Sequence, residues 1–282
     1  MEPKVDYLFC ITTGRSGSDY VSQLFSHVVG CAAFHEPVPV GNGEAMRSYL
    51  AGDPDPMRRV VQQKVENIKA IRRDGRIYVE TNHCFIKGFG WLIPEYLPEE
   101  RIGVLILSRD RSKIAESTFR VGSSPLEPNG RDWVMTPGVK IPLVAPPQRL
   151  VPARATYFLF RALRWFLRSE KLYRRGSLPP SQGPKWMLRY ELECLHWYVD
   201  ETTARSQAYQ ERFNKMKYYA VDVEQLNTLD EVRTMLAYFG CMAKESIRSV
   251  IGRPTNLKRS TTNTSALISG FEMEHLITSR RN

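Results

Sequence analysis

The sequence predicts an α/β fold: a central parallel β-sheet flanked by helices, in a single domain spanning residues 1–282. Three observations point there. An apolar run, a Gly-rich turn and an amphipathic helix follow one another directly between Val5 and Val28, which is how a parallel α/β unit opens. The stretch RIGVLILS, Arg101 to Ser108, has an apolar centre with no polar alternation, as expected of a strand covered on both faces. Short strand-like runs then alternate with helical periodicity along most of the chain.

Taken in order, Val5 to Ile11 (VDYLFCI) has the length and apolarity of a buried strand. TTGRSGS follows as a breaker-rich turn, with Ser18 the expected helix N-cap. Val21, Leu24, Phe25 and Val28 then fall on one helical face. Cys31 to Phe34 is a short apolar strand, and Met57 to Arg73 is helical, with Val61, Val65 and Ile68 on one face. Arg76 to Thr81 (RIYVET) alternates and is β-rich, so it reads as a strand. Ile114 to Val121 reads as a helix. Residues 122–152 hold seven of the eighteen prolines, with Gly122, Gly130 and Gly138 among them, so regular structure is not expected there. A loop this long is usually functional or disordered, and its length and position suggest part of an acceptor pocket or a lid over it. Arg154 to Arg175 and Trp186 to Phe213 read as long helices, Tyr218 to Val223 as a strand, and Leu229 to Phe239 and Lys244 to Ile251 as closing helices.

Composition narrows the function classes. With 282 residues, 42% hydrophobic and 25% charged, the chain resembles an ordinary globular protein rather than a disordered, collagenous or coiled-coil one. No apolar window reaches the ~20 residues a membrane span needs, and the N-terminus lacks the basic and apolar regions of a signal peptide. Five cysteines with no CxxC suggest neither a disulfide framework nor a zinc site, and no metal-ligand cluster is visible, so a cytoplasmic setting is expected. The net charge of +10 is uneven: residues 149–175 carry eight basic groups and the single acid Glu170. Such a run is most often a solvated face, but it also suits anionic partners.

Two motifs carry chemistry. In TTGRSGSDY, Gly14 and Gly17 permit positive φ and close approach of a ligand to the backbone. The N–H groups from Arg15 to Ser18 lie at a helix start, a ready anion site. Arg15 adds a forked cation suited to phosphate or sulfate oxygens, and Ser16 and Ser18 add hydroxyls. The Walker pattern GxxxxGK[ST] is absent. In LILSRDRSKIAESTF, Arg109 lies just past the most buried strand, where ligands gather in parallel sheets. Ser117 follows it by eight residues on the next helix. Taken alone, Arg109, Asp110 and Arg111 read equally as a solvated turn.

Together, the loop after the first strand and the Arg109–Ser117 pair resemble the sulfotransferase family that uses 3′-phosphoadenosine 5′-phosphosulfate (PAPS), a P-loop-like fold. The resemblance implies that Arg15, Ser16, Gly17 and Ser18 bind the 5′-phosphosulfate and that Arg109 and Ser117 bind the 3′-phosphate. It extends loosely to YAVDVEQL, Tyr219 to Leu226. Arg15 in place of the Lys of many cytosolic members is closer to the carbohydrate, tyrosylprotein and bacterial branches. The cytosolic Arg-Lys-Gly-x-x-Gly signature is missing, and the stretch from Ile251 to Thr261 stands in its place and resembles the end of the tyrosylprotein branch; Lys258 or Arg253 either reaches the cofactor or belongs to a basic surface tail. Asp19, a carboxylate beside the loop, suits a helix start but must face away from the sulfate.

Sulfuryl transfer also needs a base. Glu36, in Phe34-His35-Glu36-Pro37 after the second strand, resembles the base of the tyrosylprotein and some bacterial branches and ranks first. His83, in Glu80-Thr81-Asn82-His83, resembles in position the cytosolic branch's His and ranks second; His35 either acts itself or orients the loop. Arg15 would stabilise the leaving group. The expected activity is therefore in-line transfer from PAPS to an acceptor hydroxyl or amine, with no metal; an acidic or carbohydrate-containing acceptor suits the charge, and glycan, glycolipid, tyrosine and small natural product all stay open. Two rivals stand beside it: a nucleotide-dependent phosphotransferase with the same opening, and a basic module binding RNA or an acidic polymer through residues 149–175. The missing Walker lysine tells against the first, and the lack of any RNA-binding signature tells against the second.

Overall fold

A computed structural model of the chain describes residues 5–125, 128–147 and 185–253. The helix expected over Arg154 to Arg175, the basic run 149–175, the end of the Pro-rich segment and Lys258 lie outside the described residues.

Five strands form one sheet: β1 (Tyr7–Ile11), β2 (Cys31–His35), β3 (Ile77–Thr81), β4 (Ile102–Ser108) and β5 (Lys217–Asp222). Their order is β2-β3-β1-β4-β5 and every pairing is parallel. Seven helices lie among the described residues: α1 (Ser18–Ser26), α2 (Gly43–Leu50), α3 (Asp55–Ile71), α4 (Arg111–Arg120), the single turn α5 (Pro128–Arg131), α6 (Lys185–Arg212) and α7 (Leu229–Tyr238). The sheet is all-parallel with helices on both sides, which is the fold class read from the sequence.

The strand period of two explains the two-sided packing. Leu8 and Cys10 of β1, Ile77 and Val79 of β3, and Leu105 and Leu107 of β4 share a core with Val21, Leu24 and Phe25 of α1 and Val232, Met235 and Leu236 of α7. Residues between them face the other way: the Phe9 ring stacks on Phe85 at 5.0 Å and tilts against Tyr78 at 6.1 Å. Each fully buried large apolar side chain stabilises the fold by about 1.5–3 kcal/mol, and β1 is apolar throughout because it is covered on both faces.

The chain divides into two compact units. Described residues within Met1–Asp110 and Glu201–Leu257 form the first, which holds the entire sheet; those within Arg111–Asp200 form the second. In the second unit Ala115 and Phe119 of α4 pack with Leu192 and Leu195 of α6. The Trp197 indole donates to the Val144 carbonyl at 3.0 Å, and Arg111 makes a forked pair with Asp200, both contacts 2.7 Å. The described part of the Pro-rich segment is irregular apart from α5, although Val134 and Met135 are buried.

Three local expectations change. The N-cap of α1 is Gly17, in the left-handed region and without a side-chain cap, so Ser18 is the first helical residue instead. The closing helix expected over Lys244 to Ile251 is a 3-10 segment, Glu245–Ser249, with Ile247 its only buried residue. And α2 was not expected: it buries Met46 alone, too little for an apolar stripe to show.

Candidate functional site

Strand order locates the crevice. From β1 the chain fills one flank with β2 and β3 and then crosses to β4 and β5 on the other. At such a switch point, connections leave the C-terminal ends of neighbouring strands in opposite directions and open a binding crevice. The loop after β1 and the loop after β4 flank it, and these carry Arg15 and Arg109.

The β1 loop is tightly wound. Gly14, Arg15 and Gly17 have φ of 80°, 56° and 90°. The Thr13 and Ser16 hydroxyls pair at 2.7 Å, and Ser16 also donates to the Gly14 carbonyl at 3.1 Å. Ser16 is wholly buried, and its hydroxyl braces the loop rather than standing free for a ligand. Gly17 is required twice over. A Cβ there would overlap the Val223 side chain after β5, and φ would be left-handed for an L-residue. Gly17→Ala is expected to cost on the order of 2–4 kcal/mol, from overpacking and left-handed backbone together. Gly30→Ala also has positive φ but open space around it, so it should cost only about 1–2 kcal/mol in the same urea titration. Equal costs would show that Val223 yields freely.

Arg109 docks on this loop. Its Nη1 donates to the Arg15 carbonyl at 2.9 Å, while its Nε is buried with no hydrogen-bond partner. The two guanidinium groups are near enough that burial first, and the Arg109 charge second, lower the pKa of Arg15. Two neighbouring cations with an unsatisfied donor between strand ends form a site that an anion would stabilise. Ser117 lies half-buried on α4, in the second unit.

On the other side of the loop stands a carboxylate. Glu36 follows β2 directly with φ of 48°. Among the described residues, Arg15 and Glu36 are the two non-glycine positions with positive φ, and both are residues that the sequence picks out for chemistry. Such backbone costs about 1–3 kcal/mol per residue and persists where surrounding contacts enforce it. Here the Thr81 carbonyl accepts from the Glu36 N–H at 3.2 Å and from His35 Nδ1 at 3.0 Å. His35 thus ties the β2 end to β3, its Nε2 4.0 Å from Glu36 Oε1.

His83 completes the group. Its Nε2 lies 3.2 Å from Glu36 Oε1, and its ring sits against Gly14, 3.2 Å from where a Cβ would be. Lys87 meets the other ring nitrogen, Nδ1. Burial, then the Lys87 and His35 charges, holds the His83 pKa well below the usual imidazole range, so the ring is neutral. Burial raises the Glu36 pKa above the usual carboxylate value; His35 and Lys87 oppose this, while Asp19 and Glu80 add to it. The arrangement can accept a proton at Glu36, whose side chain remains 23% exposed.

Glu80, by contrast, is closed off. Lys64 and Tyr78 each donate to it at 2.7 Å, and Asn82 does so at 2.9 Å. It braces the end of β3 and has no free face for substrate. Lys64 and Lys87 escaped the sequence reading, though each left a trace. Lys64 falls on the Val61–Val65–Ile68 stripe of α3, and Lys87 sits inside the apolar run CFIKGFG. Among the described residues no group of three or more His, Cys, Asp or Glu comes together as a metal site would need, and no helix is long and apolar enough to cross a membrane.

Comparison of the chain with protein-family models, with curated proteins and with solved structures finds no match in any of the three.

Proposed function

We propose that this chain is a PAPS-dependent sulfotransferase acting on an acceptor hydroxyl or amine. One observation carries the reading: a half-buried carboxylate meets an imidazole whose ring faces the arginine-bearing loop, 3.2 Å from where a Gly14 Cβ would lie. A module that merely binds anions needs the loop and the arginines, but not a carboxylate held in strained backbone beside them.

PAPS, when bound, supplies the activated sulfuryl group. The residues present fit it. Arg15 and the N–H groups of Ser16, Gly17 and Ser18 would hold the phosphosulfate end, where a helix start favours negative charge. Arg109, whose buried Nε lacks an acceptor, would take the 3′-phosphate. Glu36 takes the proton of the attacking hydroxyl. His83 stays neutral and donates from Nε2 to Glu36 Oε1. Arg15 offsets the negative charge that grows on the leaving phosphate. The acceptor proposed is acidic or carbohydrate-containing.

Thermal unfolding with 3′-phosphoadenosine 5′-phosphate, ATP and RNA in parallel tests the binding half. The first alone should raise the melting point, corresponding to about 2.7 kcal/mol at a hundredfold excess over Kd. Arg15→Ala and Arg109→Ala should each abolish the rise. A preference for ATP or RNA would overturn the assignment. Transfer of labelled sulfate from PAPS to pooled acceptors tests the catalytic half, and binding without transfer to any pool would leave a nucleotide-binding protein with no sulfotransferase activity.

A further inference from the structure

The proposed chemistry uses Arg15, Arg109, Glu36 and His83, but not the fully buried Lys87. A lysine ammonium in such a place is costly unless something requires it. Its side chain reaches Nδ1 of His83, four residues earlier in the turn after β3. We propose that Lys87 is a positioning residue for the base: by donating to Nδ1 it forces the His83 proton onto Nε2, which then holds Glu36 Oε1.

The chemistry of the three groups leaves little freedom. An ammonium has only donors, so the ring nitrogen it meets must be the unprotonated one. A neutral imidazole with Nδ1 bare carries its hydrogen on Nε2. That nitrogen lies 3.2 Å from Glu36 Oε1, and a carboxylate oxygen can only accept. One carboxylate oxygen is thereby fixed, which leaves the second to take the acceptor proton. Burial lowers the Lys87 pKa only to about 8, so at neutral pH the ammonium form prevails. Gly14 supports the same geometry from the loop, since any Cβ there would press on the ring.

Without the lysine, His83 could carry its proton on Nδ1 and turn a lone pair toward Glu36. The carboxylate would then lose its donor and its fixed rotamer. The inference rests on Glu36 being the base of the proposed transfer, but the tautomer itself can be measured without any activity.

Nitrogen-15 NMR of histidine-labelled protein at pH 7 reads it, with the His83 signals identified by their loss in His83→Gln. The expected wild-type result is a protonated Nε2 and a bare Nδ1, changing to mixed or inverted protonation in Lys87→Met. A wild-type Nδ1–H, or an unchanged pattern in Lys87→Met, overturns the proposal whether or not sulfate is transferred.

Where transfer is measurable, Lys87→Met should lower kcat by at least about tenfold, part of a general base's contribution, and leave the Kd for 3′-phosphoadenosine 5′-phosphate unchanged. His83→Gln keeps an amide N–H able to reach Glu36. In that background Lys87→Met should have little further effect on kcat, whereas a full additional tenfold loss, or a parallel loss of nucleotide affinity, marks Lys87 as structural and overturns the proposal. If the wild-type chain shows the expected tautomer but transfers no sulfate, it is the sulfotransferase reading that fails.

Discussion

Glu80→Ala is expected to destabilise the protein by about 3–5 kcal/mol, the usual penalty for stranding one member of a buried ion pair. The Lys64 and Glu80 side chains are 2% and 0% exposed. With the carboxylate gone, Lys64 keeps only a long contact to the Pro37 carbonyl at 3.4 Å and the face of Phe89 at 4.7 Å. Neither compensates a desolvated ammonium; the Tyr78 hydroxyl also loses its acceptor, and the Asn82 amide one of its two. Glu80→Gln with Lys64→Met removes both charges and keeps a carbonyl acceptor for Tyr78. This double variant should recover most of the loss, so urea titrations of the two singles and the double should show coupling of at least about 1–3 kcal/mol. Additive effects below about 1 kcal/mol each would mean that the pair is solvated in solution.

The damage should extend to the site. Asn82 Oδ1 accepts from the Cys84 N–H and its amide reaches the Val40 carbonyl, both at 2.9 Å. The carboxylate that anchors Asn82 therefore shapes the turn that aims His83 at Glu36. Glu80 ends a strand beside the crevice, as a catalytic acid would, yet all its contacts are internal. Position alone does not separate a bracing carboxylate from a reacting one; the count of donors around it does.

That distinction marks where sequence reading ends. The strand-turn-helix at β1 and α1, the apolar β4 and the long α6 were legible, because burial on two faces or along one stripe writes a period into the chain. Arg15, Glu36, His83 and Arg109 were legible as strand-end residues, since a parallel sheet gathers such positions at one edge. The left-handed backbone at Arg15 and Glu36 was not, because nothing in a non-glycine residue announces it; loop closure and the shared Thr81 carbonyl impose it. The pairing of Lys87 with His83 was also hidden. The two are four residues apart in a chain of turns rather than a helix, so no periodic rule brings them together. Lys64 was the nearest miss: its place on the apolar stripe of α3 foretold burial but not which carboxylate would meet it.

Glu36→Gln should lower sulfate transfer by about 10²–10⁴, the range a positioned general base contributes, and leave the affinity for 3′-phosphoadenosine 5′-phosphate as it was. Gln matches Glu in size and can still accept from His83 Nε2, so the variant removes basicity rather than shape. The pH profile supplies a second check. The carboxylate is the active form, so the rate rises with pH through the Glu36 pKa and is lost on acidification below it. Burial places that pKa above the usual carboxylate value, against the opposing pull of His35 and Lys87 and with Asp19 and Glu80 adding to the rise. The acid limb of kcat should therefore lie above that of an exposed glutamate, near pH 4.3, and should vanish in Glu36→Gln, whose residual rate no longer depends on this group. A buried His83 resists protonation, so the same limb cannot come from a charged imidazole near pH 6.5. A variant that keeps the wild-type rate would remove Glu36 as the base; one that loses nucleotide binding along with the rate would make Glu36 a structural carboxylate.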